Sequence, residues 1–420
     1  MTDDRIDAII RRLDVTSEPN AAFAEGTLKA LLPRVQRARR ADARWFSGIS
    51  RALRASFGST VALPASTRLI VYLVVLAIVL LSAILAVAVI GSRQPRPPFG
   101  NGPLMVATTD GLRRIVPGDS GASAVVVSGP TKGASRSPDG RLVSFWTTTP
   151  SGDRLEVIGV NGTSRRTLTT GLHLTWNGCI DTWAMDSHAV AAEVLVDGVS
   201  RILVADVTTG LSRLLTPPEV GALCPLWAPD GGSIAFAMKS ASGQTLAVIG
   251  IDGHGLRVIS GLAADVVVSG PDSWSPEGSW IYFDAAVSGQ PGRVYRADVA
   301  RGVSQGLTLE ALGAAAPALS PDGRRLAFIV RRDGVYDLYA ANADGTEAHL
   351  VLADAVNDGW SADGELILAD WRPTGGGGGL VTIRPDGTGQ RMVYPFPSGC
   401  TQTMGQPGCV DSIGWGQPRP

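Results

Sequence analysis

Lysine is almost missing from this chain, with 3 residues in 420 against 34 arginines, a bias that reads as a bacterial, GC-rich composition. Charged residues of all kinds reach only 18 % and the formal net charge is −1. Without a basic excess the whole chain carries no electrostatic footprint for nucleic acid. Histidine and cysteine occur four times each, and neither appears before His173. That excludes a histidine–cysteine zinc site in the N-terminal part, such as a zinc-type anti-sigma segment would need. What is abundant excludes as much. An apolar content of 45 % is too high for a disordered chain, and 51 Gly with 27 Pro are too many for a helical bundle.

The near-zero net charge is an average over two unlike parts. Residues 1–96 hold 14 Lys and Arg against 7 Asp and Glu, and residues 97–420 hold 23 against 31. Between the two objects runs Leu69–Ile90, 22 residues with no charge, Pro or Gly. As a helix it reaches about 33 Å, enough for a hydrocarbon core of about 30 Å. It is longer than a signal-peptide core and starts late in the chain, so a single retained transmembrane helix over 68–91 is expected. Nine basic residues and one acid lie between Lys29 and Arg68, so the N-terminus is expected in the cytoplasm and the remainder outside the cell membrane. Residues 92–103, with four prolines and three glycines between Gly91 and Pro103, read as a semi-stiff linker.

All four cysteines, Cys179, Cys224, Cys400 and Cys409, follow the span. An even count on the exported side fits disulfides in an oxidising compartment. Cys400 and Cys409 could close a small ring, and Cys179 with Cys224 could clamp neighbouring repeats.

Residues 104–416 are organised by an internal repeat. A turn motif recurs at Ser137-Pro138-Asp139-Gly140, Ala228-Pro229-Asp230-Gly231, Ser275-Pro276-Glu277-Gly278, Ser320-Pro321-Asp322-Gly323 and Ser361-Ala362-Asp363-Gly364, with a worn copy at Ala184-Met185-Asp186-Ser187. The acidic positions are spaced 47, 44, 47, 45 and 41 residues apart. Pro presets the turn, Asp bonds nearby amides and Gly takes the positive φ. Trp183, Trp227, Trp274 and Trp360 each stand three residues before the acid, a fixed place that points to packing between repeats. Each unit holds four short strand-like runs, the strand count of one propeller blade. Leu104–Thr108, Leu112–Val116 and Ala124–Val127 supply three strands of a further blade, and Val410–Trp415, ending in Trp415, supplies its missing first strand. The expectation is an all-β, seven-bladed β-propeller closed by its own ends, with six blades as the runner-up because the third unit has the worn turn.

The Trp-Ser-Pro-Asp-Gly turn, strands such as Ile234-Ala235-Phe236 and Leu326-Ala327-Phe328, and the Asp-Gly-Thr hairpins resemble the TolB-type, WD-like propeller repeat. The resemblance implies the fold over three quarters of the chain and leaves function open, since this repeat serves many roles. TolB has an α/β domain ahead of six blades. Here a membrane span stands in that place, so a role in the Tol–Pal system is not carried over.

Catalytic motifs weaken on inspection. Gly118-Asp119-Ser120-Gly121 and Gly302-Val303-Ser304-Gln305-Gly306 imitate nucleophile loops, yet both fall on blade hairpins without the strand-to-helix turn a nucleophile elbow needs. His173, His188, His254 and His349 lie in different blades. The turn residues Asp139, Asp186, Asp230, Glu277, Asp322 and Asp363 repeat in every blade, which argues for turn structure over calcium. No enzyme activity, metal or cofactor is expected. Residues 1–67 read as a short, basic helical segment, with Asp4–Leu13 amphipathic. The reading is a membrane-anchored extracytoplasmic scaffold for a protein, peptide or glycan partner. Its competitor is an anti-sigma-like transmembrane regulator, with residues 1–67 as effector on a cytoplasmic partner.

Overall fold

The computed structural model describes residues 103–396 and 410–414, apart from 109, 117–122, 174–181, 241–242, 264, 310–312 and 375. The apolar run Leu69–Ile90, residues 1–67 and most of the linker lie outside the described residues.

Seven four-stranded antiparallel sheets follow one another along the chain. The blade that opens the propeller is composite. Its first strand, Val410–Gly414, comes from the chain end and pairs with Leu104–Thr108, followed by Gly111–Ile115 and Ser123–Ser128. We number this blade one. Blades two to seven begin with Thr131–Arg136, Thr182–Trp183, Ala222–Trp227, Val266–Trp274, Ala314–Leu319 and Ala355–Trp360. These first strands touch their counterparts in neighbouring blades, so they form the inner rim around the channel that a ring of blades encloses. Seven blades are present, including the third. There Ser187 takes a φ of 65° where the other turns use Gly, and Asp186 Oδ1 still accepts the His188 amide at 2.9 Å. The turn survives the loss of its sequence signature because Asp bonding supports the left-handed residue.

The core is distributed between blades. Each sheet is apolar on both faces, as in Phe236 and Ala237 or Phe328 and Ala327, all 0 % exposed. Consequently the buried side chains form seven clusters, each straddling one blade boundary, from the two–three cluster around Trp146 and Trp183 to the one–two cluster around Met105 and Phe145. Neighbouring blades supply each other's solvent-excluding surface, which is why no single blade can bury its own faces.

Candidate functional site: the inner rim

The repeated turn residues are occupied by local bonding. Ser137 Oγ donates to Asp139 Oδ1 at 2.7 Å and accepts the Leu142 amide at 2.9 Å, and Asp139 Oδ1 accepts the Arg141 amide at 3.0 Å. The same circuit returns at Ser320–Asp322 and Ser361–Asp363. Asp230 Oδ1 accepts the Gly232 amide, and Glu277 accepts the Ser279 hydroxyl at 2.6 Å. These side chains shape turns.

The tryptophans tie blade to blade. Trp183 Nε1 donates to the Ser135 carbonyl at 3.0 Å, Trp274 Nε1 to Leu226 at 3.3 Å and Trp360 Nε1 to Ala318 at 2.8 Å, each on the inner strand of the preceding blade. Trp227 breaks the series, since its Nε1 is buried without a partner. In blade two Arg136 stands in the tryptophan's place and reaches back to the Pro103 carbonyl at 3.4 Å.

Sequence reasoning missed the carboxylates of the inner rim. Inner strands carry bulges, and these come in two kinds. In blades two, four and six the register jumps past Gly133-Ala134, Cys224-Pro225 and Ala316-Pro317, whose first residues take φ of 62°, 52° and 49°. In blades five and seven the displaced residues are Asp272 and Asp358, each five positions before the turn acid. Asp272 Oδ2 accepts the Asp284 amide at 3.1 Å, substituting for the strand carbonyl that the bulge removes.

A second set of acids sits seven positions after each turn acid, as Glu193, Asp284 and Asp370 in blades three, five and seven. Glu193 Oε2 accepts the amide of Cys224 at 3.2 Å, and Asp284 Oδ1 that of Ala316 at 3.3 Å. Each thus caps a left-handed bulge residue of the next blade. Asp370 is clamped by Arg372 through Nε at 2.7 Å and Nη2 at 2.6 Å. The signal was an acid at a fixed offset from each turn in alternate blades, visible only once the bulges define the register. Packing there is close: a Cβ on Gly270 would lie 2.7 Å from the Cys224 Cβ.

Close packing around the rim raises the carboxyls of Asp272, which is exposed, and of half-buried Asp358 above the usual carboxylate range, helped by the neighbouring charges of Asp284 and Asp370 and opposed at Asp358 by Arg372. Asp358 Oδ2 is buried without a hydrogen-bond partner. The unfolded chain ionises these groups near 3.8, while the fold holds their protons longer. Their protonated forms therefore cost nothing at low pH, and stability is lost as pH rises above that value. The expected result is that Asp358→Asn, at a half-buried carboxyl whose Oδ2 has no partner, raises the melting temperature at pH 7 and leaves it unchanged near pH 3. A lower melting temperature at pH 7 would show that the ionised carboxylate stabilises the rim.

Among the described residues no three His, Cys, Asp or Glu converge at metal-ligand spacing. No described cysteine is free. Cys179, Cys400, Cys409, Trp415 and the segment Gly118–Gly121 lie outside the residues whose side chains are described. Ser304, in the second imitation motif, lies on the outermost strand of blade five, where its hydroxyl donates to the Ser260 carbonyl at 2.8 Å.

Residues 180–396 match the family described as the TolB beta propeller domain. A curated protein of Agrobacterium fabrum is 27 % identical over 186 residues, 42 % of this chain, and the matched region spans 60 % of that relative's length. Among solved structures, TolB from Acinetobacter baumannii is similar over 79 % of this chain and 70 % of its own, at 17 % identity and a TM-score of 0.49. An oligogalacturonate lyase in complex with manganese is similar over 65 % of this chain and 82 % of its own, at 14 % identity and a TM-score of 0.54. At 14 % identity the likeness to the lyase is one of fold alone.

Proposed function

Since this chain belongs to the TolB beta propeller domain family, we propose that it acts by binding, as a propeller held outside the cell membrane by a single span. The uncharged run Leu69–Ile90, the basic flank before it and the placement of all cysteines after it support the anchor and its orientation. The propeller offers a rigid ring whose loops and inner rim meet a protein, peptide or glycan partner. The observation that carries this reading is the inner rim. Two pairs of carboxyls stand on it, Asp272 beside Asp284 and Asp358 beside Asp370, with Asp272 open to solvent.

Capture from an envelope extract by residues 97–420 tests it. The wild-type domain should retain a discrete partner that the Asp272→Asn/Asp358→Asn double variant loses, whereas equal capture by both would remove the rim from the interface. The competing reading, signalling through the basic segment 1–67, predicts that deletion of residues 1–60 abolishes the phenotype. An intact phenotype leaves the scaffold reading.

A further inference from the structure

The repeat supplies its own control, because one position can be followed through every blade. On the second strand, five residues after the turn acid, stand Ser144, Ala191, Ala235, Ala327 and Leu368 in blades two, three, four, six and seven. Opposite them on the third strand lie Val157, Val204, Val248, Ala340 and Thr382. Blade five places Tyr282 opposite Arg296. Two residues before Tyr282 it also has Trp280, where the same blades carry Leu142, Ala189, Ser233, Arg325 and Leu366. Arg114 of blade one shares the register of Arg296 but faces Met105. Only blade five has the three-residue departure.

These residues are neighbours in space. The guanidinium of Arg296 lies over the Trp280 ring at 4.5 Å from its centroid. Tyr282 lies directly across the strand pair from it. Turned to face it, the Gln305 amide oxygen accepts from Nε at 2.6 Å and Nη2 at 2.7 Å. Arg296 makes no ion pair among the described residues, although it is half-buried. Together they wall a cavity of 410 Å³ between blades five and six, completed by Glu277 from one turn and by Arg324 and Asp344 from blade six. Thr346 and Ser279 hold the two acids in place.

A planar cation fixed on an aromatic face and in no ion pair, with Asp344 near enough to feel its charge, can take a carboxylate ligand at the edge that Gln305 leaves open. Two arginines and two acids leave the walls without net charge, so the complementary ligand is itself neutral overall. We propose that this cleft binds a zwitterionic α-amino carboxylate, a free amino acid or dipeptide, with its carboxylate on Arg296 and its ammonium toward Glu277 and Asp344. The volume lies within the range of small-molecule sites. The inference is independent of the inner-rim reading, since the cleft lies on a blade boundary and uses none of the rim carboxylates.

The experiment is a thermal-shift and calorimetric screen of the full chain in detergent micelles, using the twenty amino acids and their homodipeptides. At about 10 mM, enough to load a millimolar site, at least one compound should raise the melting temperature. Its N-acetylated and C-amidated forms should not. Arg296→Gln should weaken binding about tenfold or more, and Glu277→Gln should weaken it separately while leaving the unliganded melting temperature near wild type. Four results would each overturn the proposal: no shift from any compound, unchanged affinity in both variants, equal binding of the N-acetylated form, or equal binding of the C-amidated form.

Discussion

Removing residues 410–420 is expected to unfold the propeller instead of trimming it. The backbone of Val410–Gly414 pairs with Leu104–Thr108 through Gly414 with Met105, Ile413 with Val106, Ser412 with Ala107 and Val410 with Thr108. Without that strand, Leu104–Thr108 becomes a sheet edge on the inner rim. Leu104, Met105, Val106 and Ala107, now 0–1 % exposed, would lose their cover on that side. At about 1.5–3 kcal/mol for each large apolar side chain returned to water, the three large ones alone cost about 5 kcal/mol or more. That is comparable with the whole stability of many domains. The exposed edge would also template association. Size-exclusion chromatography and limited proteolysis of residues 97–409 should show aggregation and rapid cleavage. A monomeric, protease-resistant product with the wild-type melting temperature would mean that the terminal strand does not close the ring.

The second large effect is expected at Trp360. Its side chain is 2 % exposed and sits in the cluster between blades six and seven, with Arg325 over its ring and its indole N–H donating to Ala318. Trp360→Ala should cost about 3–5 kcal/mol, most of it the cavity that two facing sheets cannot collapse. Trp360→Phe keeps most of the volume and loses the hydrogen bond, for about 1 kcal/mol. Trp227 supplies the contrast. Its Nε1 is already buried without a partner, so Trp227→Phe removes an unmet donor and should cost less than Trp360→Phe. Equal losses for the two Phe variants, measured by urea denaturation, would show that ring volume alone decides the blade boundary.

The regularity that made the fold readable also hid its sites. Repeated acidic turns were enough to locate six blades, because their local chemistry works the same way in each copy, and the strand-like runs at the two ends located the seventh. Ser187 shows how far that goes, holding glycine's conformation in a turn whose signature is worn. The carboxyls Asp272, Asp284, Asp358 and Asp370 stand in plain view in the sequence. Their meaning depended on where an inner strand bulges, and a bulge moves a side chain from a sheet face to an unpaired position without altering the strand's apolar pattern. Trp280, Tyr282 and Arg296 lie 16 positions apart at most. They read as ordinary strand residues until the register sets Tyr282 against Arg296.

The sequence by itself determined the turns that punctuate the blades, a count of seven with six as the runner-up, the closure by both ends and the expectation of an anchor ahead of the propeller. All of these follow from short-range chemistry or from simple periodicity. Only the tertiary structure decided which acids meet across the inner rim and which blade boundary opens into a cleft. Those depend on pairing register and on what the next blade presents, and no single repeat carries either.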